Sequence, residues 1–247
     1  MANLTKNWVR WVAGFDPHGA YQDKHANKAF FKFIEHWNPQ IRIAGGDIWD
    51  MKQLRKKADA HEKRESMAVD VREGMEWMEK FRPTVFLRGN HDERLWDLAS
   101  QSEGVVQDYA KLLVGEIEEL VSKMGCPMLP YNTREGVYRL GSLKVIHGFR
   151  AGINAARMSA KTYGSVMMGH IHQYQCATIE GLEQRTGYAV PCLARVAMEY
   201  SRAQEGALTH ENGWAYGVVD EKSGFFQVWI ARKFAGQWLL PTGLEMF

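Results

Sequence analysis

The chain is poor in cysteine: Cys126, Cys176 and Cys192 are the only three in 247 residues, an odd count with no C-x-x-C spacing. That excludes a disulfide framework or a zinc knuckle and points to buried thiols in a reducing compartment. No apolar run approaches the ~20 residues of a membrane span, and Met1 to Arg10 holds no apolar stretch of signal length. A cytoplasmic protein with no membrane partner is expected. Neither sign of charge dominates. With 31 basic and 29 acidic residues, the formal charge of +2 gives no strong pull toward nucleic acid or lipid. Low-complexity tracts and solenoid repeats are absent. A chain of this length is expected to form one domain over 1–247, burying about three quarters of its unfolded surface without staples.

Strand and helix patterns alternate through the first two thirds. Trp8 to Phe15 alternates as a strand and runs into Asp16-Pro17-His18-Gly19. Gln22 to Trp37 carries Ala26, Ala29, Phe30, Phe33, Ile34 and Trp37 on one helical stripe, and Asn38-Pro39 stops it. Ile41 to Ala44 is a short strand opening into Gly45-Gly46-Asp47-Ile48-Trp49-Asp50. Met51 to Phe81 contains no proline and is expected to be helical throughout, with Met67, Val71, Met75 and Met78 as its inner stripe. Lys52, Arg55, Lys56, Lys57, Lys63 and Arg64 make its first half basic, a solvated face or else a lid or homo-oligomer contact.

After Pro83, Val85-Phe86-Leu87 leads into Arg88-Gly89-Asn90-His91-Asp92-Glu93-Arg94. A helix is expected over Trp96 to Lys123, with Tyr109, Leu113, Ile117, Leu120 and Val121 inward, and a turn region over Gly125 to Pro130. A hairpin turns at Gly141-Ser142, and its second strand ends at His147-Gly148. Ile153 to Tyr163 is a short helix, and Ser165 to Met168 a strand ending in Gly169-His170-Ile171-His172. The rest turns to strands, among them Tyr188 to Val196, Trp214 to Val219, Phe225 to Ala231 and Trp238 to Leu240. Together these patterns imply a mixed α/β fold.

Five motifs therefore follow apolar strands: Asp16-x-His18, Gly46-Asp47-x-x-Asp50, Gly89-Asn90-His91-Asp92, His147-Gly148 and Gly169-His170-x-His172. Ligands of α/β sheets gather at carboxyl ends of strands. If His170 and His172 lie on an extended segment, both rings point to one side. Three or four carboxylates, one carboxamide and five histidines are too many for one four-coordinate zinc and suit two metal ions. Such mixed ligation fits Mn, Fe, Zn, Co or Ni rather than calcium or magnesium. Two ions ~3.5–4 Å apart ionise a bound water near neutral pH for in-line attack on phosphorus. Arg88, Arg94 and Arg150 flank motifs and could clamp a phosphate. Asp92 and Glu93 are expected to cap the helix that follows. His25, His36, His61 and His210 are expected on the surface or in packing.

In this order, and without a substitution, the five motifs resemble those of the calcineurin-like metallophosphoesterases. The resemblance covers Asp16 to His172. It implies two packed mixed β-sheets flanked by helices, a four-layer α-β-β-α sandwich. It also implies that Asp16, His18 and His172 ligate a first metal, Asn90, His147 and His170 a second, and that Asp47 bridges them. His91 would face the phosphate, and Asp50 would hold its tautomer. The stretch from Asp50 to Asn90 exceeds a minimal βαβ connection, so a helical insertion is expected at about 51–82.

The function expected is a dinuclear phosphoesterase, manganese being the first choice of metal, that leans toward phosphodiesters such as cyclic nucleotides or nucleic-acid ends. Protein phosphatases of the family carry D-R-G where this chain has Asp50-Met51-Lys52. The alternatives are a DNA or RNA repair nuclease working with a partner, a phosphomonoesterase or protein phosphatase, and a metal-free scaffold. Relatives of the last kind lose ligands, and here none is missing.

Overall fold

The computed structural model describes residues 8–55, 58–64, 66–196 and 208–240. Its strands are β1 (Trp8–Gly14), β2 (Ile41–Ala44), β3 (Val85–Leu87), β4 (Met128–Leu129), β5 (Tyr138–Leu140), β6 (Leu143–Ile146), β7 (Val166–Met168), β8 (Gln175–Ile179), β9 (Arg185–Ala189), β10 (Gly213–Asp220), β11 (Phe226–Phe234) and β12 (Gln237–Leu239). The helices are α1 (Lys24–Trp37), α2 (Ala68–Phe81), α3 (Asn90–Gln101), α4 (Gly104–Lys123) and α5 (Ala155–Tyr163).

Seven strands form one sheet in the order β12-β11-β10-β1-β2-β3-β4, and five form another in the order β5-β6-β7-β9-β8. Alternation along β1 explains how they stack. Trp11 and Ala13 join Leu140, Leu143, Val145 and Met167 of the second sheet in a core between the sheets. Val12 faces the other way, onto Phe30 and Phe33 of α1 and the buried faces of α2, α3 and α4. The outer face of the second sheet packs Ile146, Val166 and Met168 under Ala155, Ala156 and Ala160 of α5. The layers are thus helices, sheet, sheet, helix, the expected four-layer sandwich. No helix among the described residues is long and apolar enough to cross a membrane.

Four expected elements differ. The stretch Met51–Phe81 is not helical throughout: among its described residues only Ala68–Phe81 is α-helix, preceded by single 3-10 turns at Lys52–Leu54 and Glu62–Arg64. The reason is local. Asp59 Oδ1 accepts the His61 and Glu62 amides at 2.8 Å each, and Arg55 clamps Glu62 at 2.6 and 2.8 Å, which rewards turns over a helix. Lys56 and Lys57 lie outside the described residues. The helix expected from Trp96 breaks between Gln101 and Gly104, where Glu103 is extended and Gly104 has φ 60. The new register turns Ala110 inward and leaves Tyr109 exposed. Met128–Leu129, expected as a turn, pairs with β3 as an edge strand. The strand expected at Tyr188–Val196 lies at Arg185–Ala189, ending before Pro191, which cannot donate to a ladder.

Candidate metal centre

All five motif loops meet at one edge of the sandwich. β1, β2 and β3 run parallel in the first sheet, and β6 and β7 run parallel in the second. Asp16 and His18 follow β1, Asp47 and Asp50 follow β2, and Asn90 and His91 open α3 after β3. His147 follows β6, and His170 and His172 follow β7.

The backbone here is unusual. Asp16, His18, Asp47, His170 and His172 all sit at left-handed φ between 51 and 70, a conformation that L residues adopt only when their surroundings enforce it. Neighbouring loops supply that enforcement: the Asp16 amide donates to Gly46 O at 3.1 Å and the His18 amide to Asp47 O at 3.0 Å. The left-handed turns also correct one expectation. His170-Ile171-His172 is not extended, so its two rings part toward different donor groups while Ile171 is buried beneath.

Asp16, His18 and His172 offer ligand atoms within 4.8 Å of one another, and so do Asp47, His147 and His170. Asn90 Oδ1 lies 3.1 Å from His147 Nε2. Asp47 Oδ2 lies between the groups, 3.3 Å from His147 Nε2 and 3.9 Å from both His18 Nε2 and His91 Nε2.

The donor atoms fit bound cations. His147 Nδ1 donates to the Gly45 carbonyl at 2.9 Å, so in the neutral ring Nε2 carries a lone pair. That lone pair faces two acceptor oxygens, of Asn90 and Asp47. His18 Nδ1 is likewise held by Asp50 Oδ1 at 3.0 Å, which turns its Nε2 onto His172 Nε2 at 3.1 Å. Asp16 Oδ1 is buried with no hydrogen-bond partner among the described residues. Acceptors converging on acceptors need positive charge between them.

Proton affinities record the same demand. Burial works against protonation of His147, yet Asp47 and Asp16 push its pKa up to about 10. Burial also opposes protonation of His18, but the bond to Asp50 and the nearby carboxylates raise it to about 9. Asp47 is held well below the usual carboxylate range, because His147 and His91 outweigh its burial. His170 is pushed down to about 4, first by burial and then by His147.

His91 and Asp50 stand beside the donors. His91 Nδ1 lies 2.8 Å from Asp50 O and 3.1 Å from Asp50 Oδ1, which fixes the ring with Nε2 toward Asp47. Asp50 Oδ1 thus orients two histidines, His91 and His18. Asp92 caps α3 as expected, accepting the Gly89 amide at 2.8 Å, and it also accepts the Trp49 amide at 3.0 Å. Gly89 is needed for close approach, since a Cβ there would lie 2.1 Å from Asp47 Oδ1.

Asp70 escaped the sequence reading, and His210, expected on the surface or in packing, packs against a candidate ligand. Asp70, near the start of α2, is 5% exposed and accepts the amides of Ala20, Asp50 and Met51 at 3.2, 3.1 and 2.8 Å. It ties the insertion to two motif loops, and its only sequence signal is an acidic side chain at a helix start. His210 stacks edge-on to His172 with ring centroids 4.9 Å apart, and no motif surrounds it. His25, His36 and His61 stay outside the centre.

No family model matches the chain, and no curated protein matches it. Among solved structures, vacuolar protein sorting 29 of Cryptosporidium parvum is 9% identical over 98% of this chain and 99% of that one, with a TM-score of 0.49. Vps29 of Entamoeba histolytica complexed with zinc is 9% identical over 97% of each chain, with a TM-score of 0.44. A predicted phosphoesterase of Streptococcus pneumoniae TIGR4 is 14% identical over 97% of each chain, with a TM-score of 0.40. At these identities and scores, none of them says what this chain binds or does. In the order of its motifs, in its two stacked sheets and in the donor groups at their strand ends, the chain resembles the calcineurin-like metallophosphoesterases.

Proposed function

We propose that this chain is a metal-dependent phosphoesterase with a dinuclear centre, acting on phosphodiesters. Asp16, His18 and His172 would hold one ion and Asn90, His147 and His170 the other, with Asp47 shared between them. A divalent pair, manganese ahead of iron, zinc, cobalt or nickel, would supply Lewis acidity to activate water and neutralise phosphate charge. His91 presents Nε2 to the phosphate, where it donates a hydrogen bond to a developing charge or a proton to the leaving oxygen. Asp50 keeps that ring in its tautomer and, through His18, keeps the donor groups aligned. The chain works as one domain over 1–247, with the 51–82 insertion as part of the helical layer beside the centre. Its three free cysteines support a cytoplasmic setting.

One observation carries the reading: a single oxygen, Asp47 Oδ2, lies within 4 Å of imidazole nitrogens from both donor groups and from His91. The test is elemental analysis of the purified protein, then assays of bis- and mono-(p-nitrophenyl) phosphate with Mn(II), beside plasmid and single-stranded DNA. Two ions per chain and turnover of the diester are expected. Less than one ion per chain, with no turnover under any divalent metal, would sink the proposal. Degradation of DNA without turnover of the small diesters would move the assignment to a nuclease.

A further inference from the structure

A cleft of about 550 Å³ opens beside the candidate centre and runs along one face of α3. Asn90, Arg94, Asp97, Leu98 and Gln101 line it from that helix, and Arg55 lines it from the opposite wall. From Asn90 to Gln101 it extends roughly 16 Å at the α-helical rise. Its inner end is therefore a candidate metal ligand and its outer end is open solvent.

Three arginines flank motifs, and the fold separates them. Arg88 Nε lies 3.1 Å from Glu93 Oε2, and the guanidinium lies over the Trp96 ring at 4.6 Å. Arg150 is exposed. Arg94 is half-buried next to His91, its Nη1 held by Asp50 O at 2.9 Å with Met51 O at 3.4 Å. Nη1 also lies 3.2 Å from His91 Nδ1; no carboxylate among the described residues pairs with Arg94, and the residue lines the cleft. A guanidinium held through Nη1, with no carboxylate partner among the described residues and lining a cleft, suits a phosphate oxygen.

Further out the cleft changes character. Arg55 is neutralised by Glu62 at 2.6 Å, and Asp97 Oδ1 accepts Gln101 Nε2 at 2.9 Å. Leu98 adds an apolar wall. This outer part offers hydrogen bonds and apolar area, and its unpaired charge is negative, so it disfavours a second phosphate. Its size lies within the range of small-ligand sites.

We propose that this cleft binds the organic arm of the substrate. Arg94 takes a phosphate oxygen, and a neutral group of nucleoside size lies along α3, which makes the substrate a small nucleotidyl diester rather than a polynucleotide strand. This rests on the phosphoesterase reading above and narrows its substrate class.

The test compares thymidine 5′-(p-nitrophenyl phosphate), methyl p-nitrophenyl phosphate and a ten-residue oligothymidylate with Mn(II) and the full chain. Expected is a kcat/KM at least tenfold higher for the thymidine ester than for the methyl ester, and no processing of the oligomer. Gln101→Trp, which fills the outer cleft from an exposed position, brings the ratio of the two esters to near one. Arg94→Gln lowers kcat/KM for both esters tenfold or more, chiefly through KM, and Arg94→Lys recovers part of it. Calorimetric titration of thymidine 5′-monophosphate against inorganic phosphate reads the same preference without turnover. Equal kcat/KM for the two esters, or a ratio unmoved by Gln101→Trp, overturns the inference while leaving the phosphoesterase reading intact. Preferred processing of the oligomer overturns it in favour of nucleic acid. No turnover of any ester with the binding preference preserved sinks the phosphoesterase reading instead. No turnover and no binding preference sinks both.

Discussion

Replacing Gly89 by alanine is the sharpest probe of how the centre is held together. Gly89 has φ −94, so the backbone accepts any residue, and the whole effect is steric. The new Cβ would stand 2.1 Å from Asp47 Oδ1 and 2.4 Å from Asp47 N. Ordinary contact needs more than 3 Å, so the second and third motif loops must part by about 1 Å. A side-chain rotation does not relieve this, because one of the two atoms is backbone. The carboxylate is fixed as well, since Asp47 Oδ1 accepts the His91 amide at 2.8 Å. Overpacking of this kind costs about 1–3 kcal/mol. For a chain of this size that lowers Tm by roughly 2–4 °C per kcal/mol, or about 2–12 °C in all. Activity should fall further than stability, since a displacement of ~1 Å at a reacting centre can cost on the order of a hundredfold. Gly115, exposed within α4, is the matched control, because a Cβ there meets nothing within 4 Å. Gly115→Ala should stabilise by about 0.5–1 kcal/mol through helix propensity. Calorimetric melts of both variants, with metal content measured on the same samples, check the pair. A Gly89→Ala variant that melts with the parent and keeps its full metal would refute the reasoning.

Three further outcomes are expected. Asp47→Ala loses both metals in elemental analysis, whereas His91→Ala retains them and loses most of kcat; a His91→Ala protein stripped of metal would show that its assigned role is wrong. Asp50→Ala removes the carboxylate that holds the His18 ring and leaves His91 only its contact to the residue-50 carbonyl, so metal affinity in a competitive chelator titration should drop about 10–100-fold, and unchanged affinity would mean that the His18 ring holds itself. Alkylation of the native protein followed by mass spectrometry should modify Cys176 alone, because Cys126 and Cys192 are buried and burial pushes the Cys126 thiol up to about 12; three labels before unfolding would contradict the packing.

The candidate site was largely legible because each of its motifs is local. An apolar strand followed by Gly-Asp or Gly-Asn-His carries its own boundaries, and β2 and β3 lie at the expected residues. Helix interruptions were less legible. The break after Gln101 is set by Gly104 and by the packing of α3 on α4, and the turns before α2 by the Arg55–Glu62 pair. Apolar periodicity does not register either. Asp70 was missed, and the partner of His210 was not foreseen, for a related reason: what matters about each is a contact far along the chain, three backbone amides for the one and His172 for the other.

The sequence by itself determined which side chains could bind metal and which strands deliver them. These properties depend on residue type and short spacing, and both are written in order along the chain. Tertiary structure alone decided that Asp50 holds two rings rather than one, that His170 and His172 sit in left-handed turns rather than on an extended segment, and that Arg94 rather than Arg88 or Arg150 lies beside His91 without a carboxylate partner among the described residues. Each of these outcomes depends on stacking two sheets whose strand ends converge, a long-range packing event that no local pattern encodes.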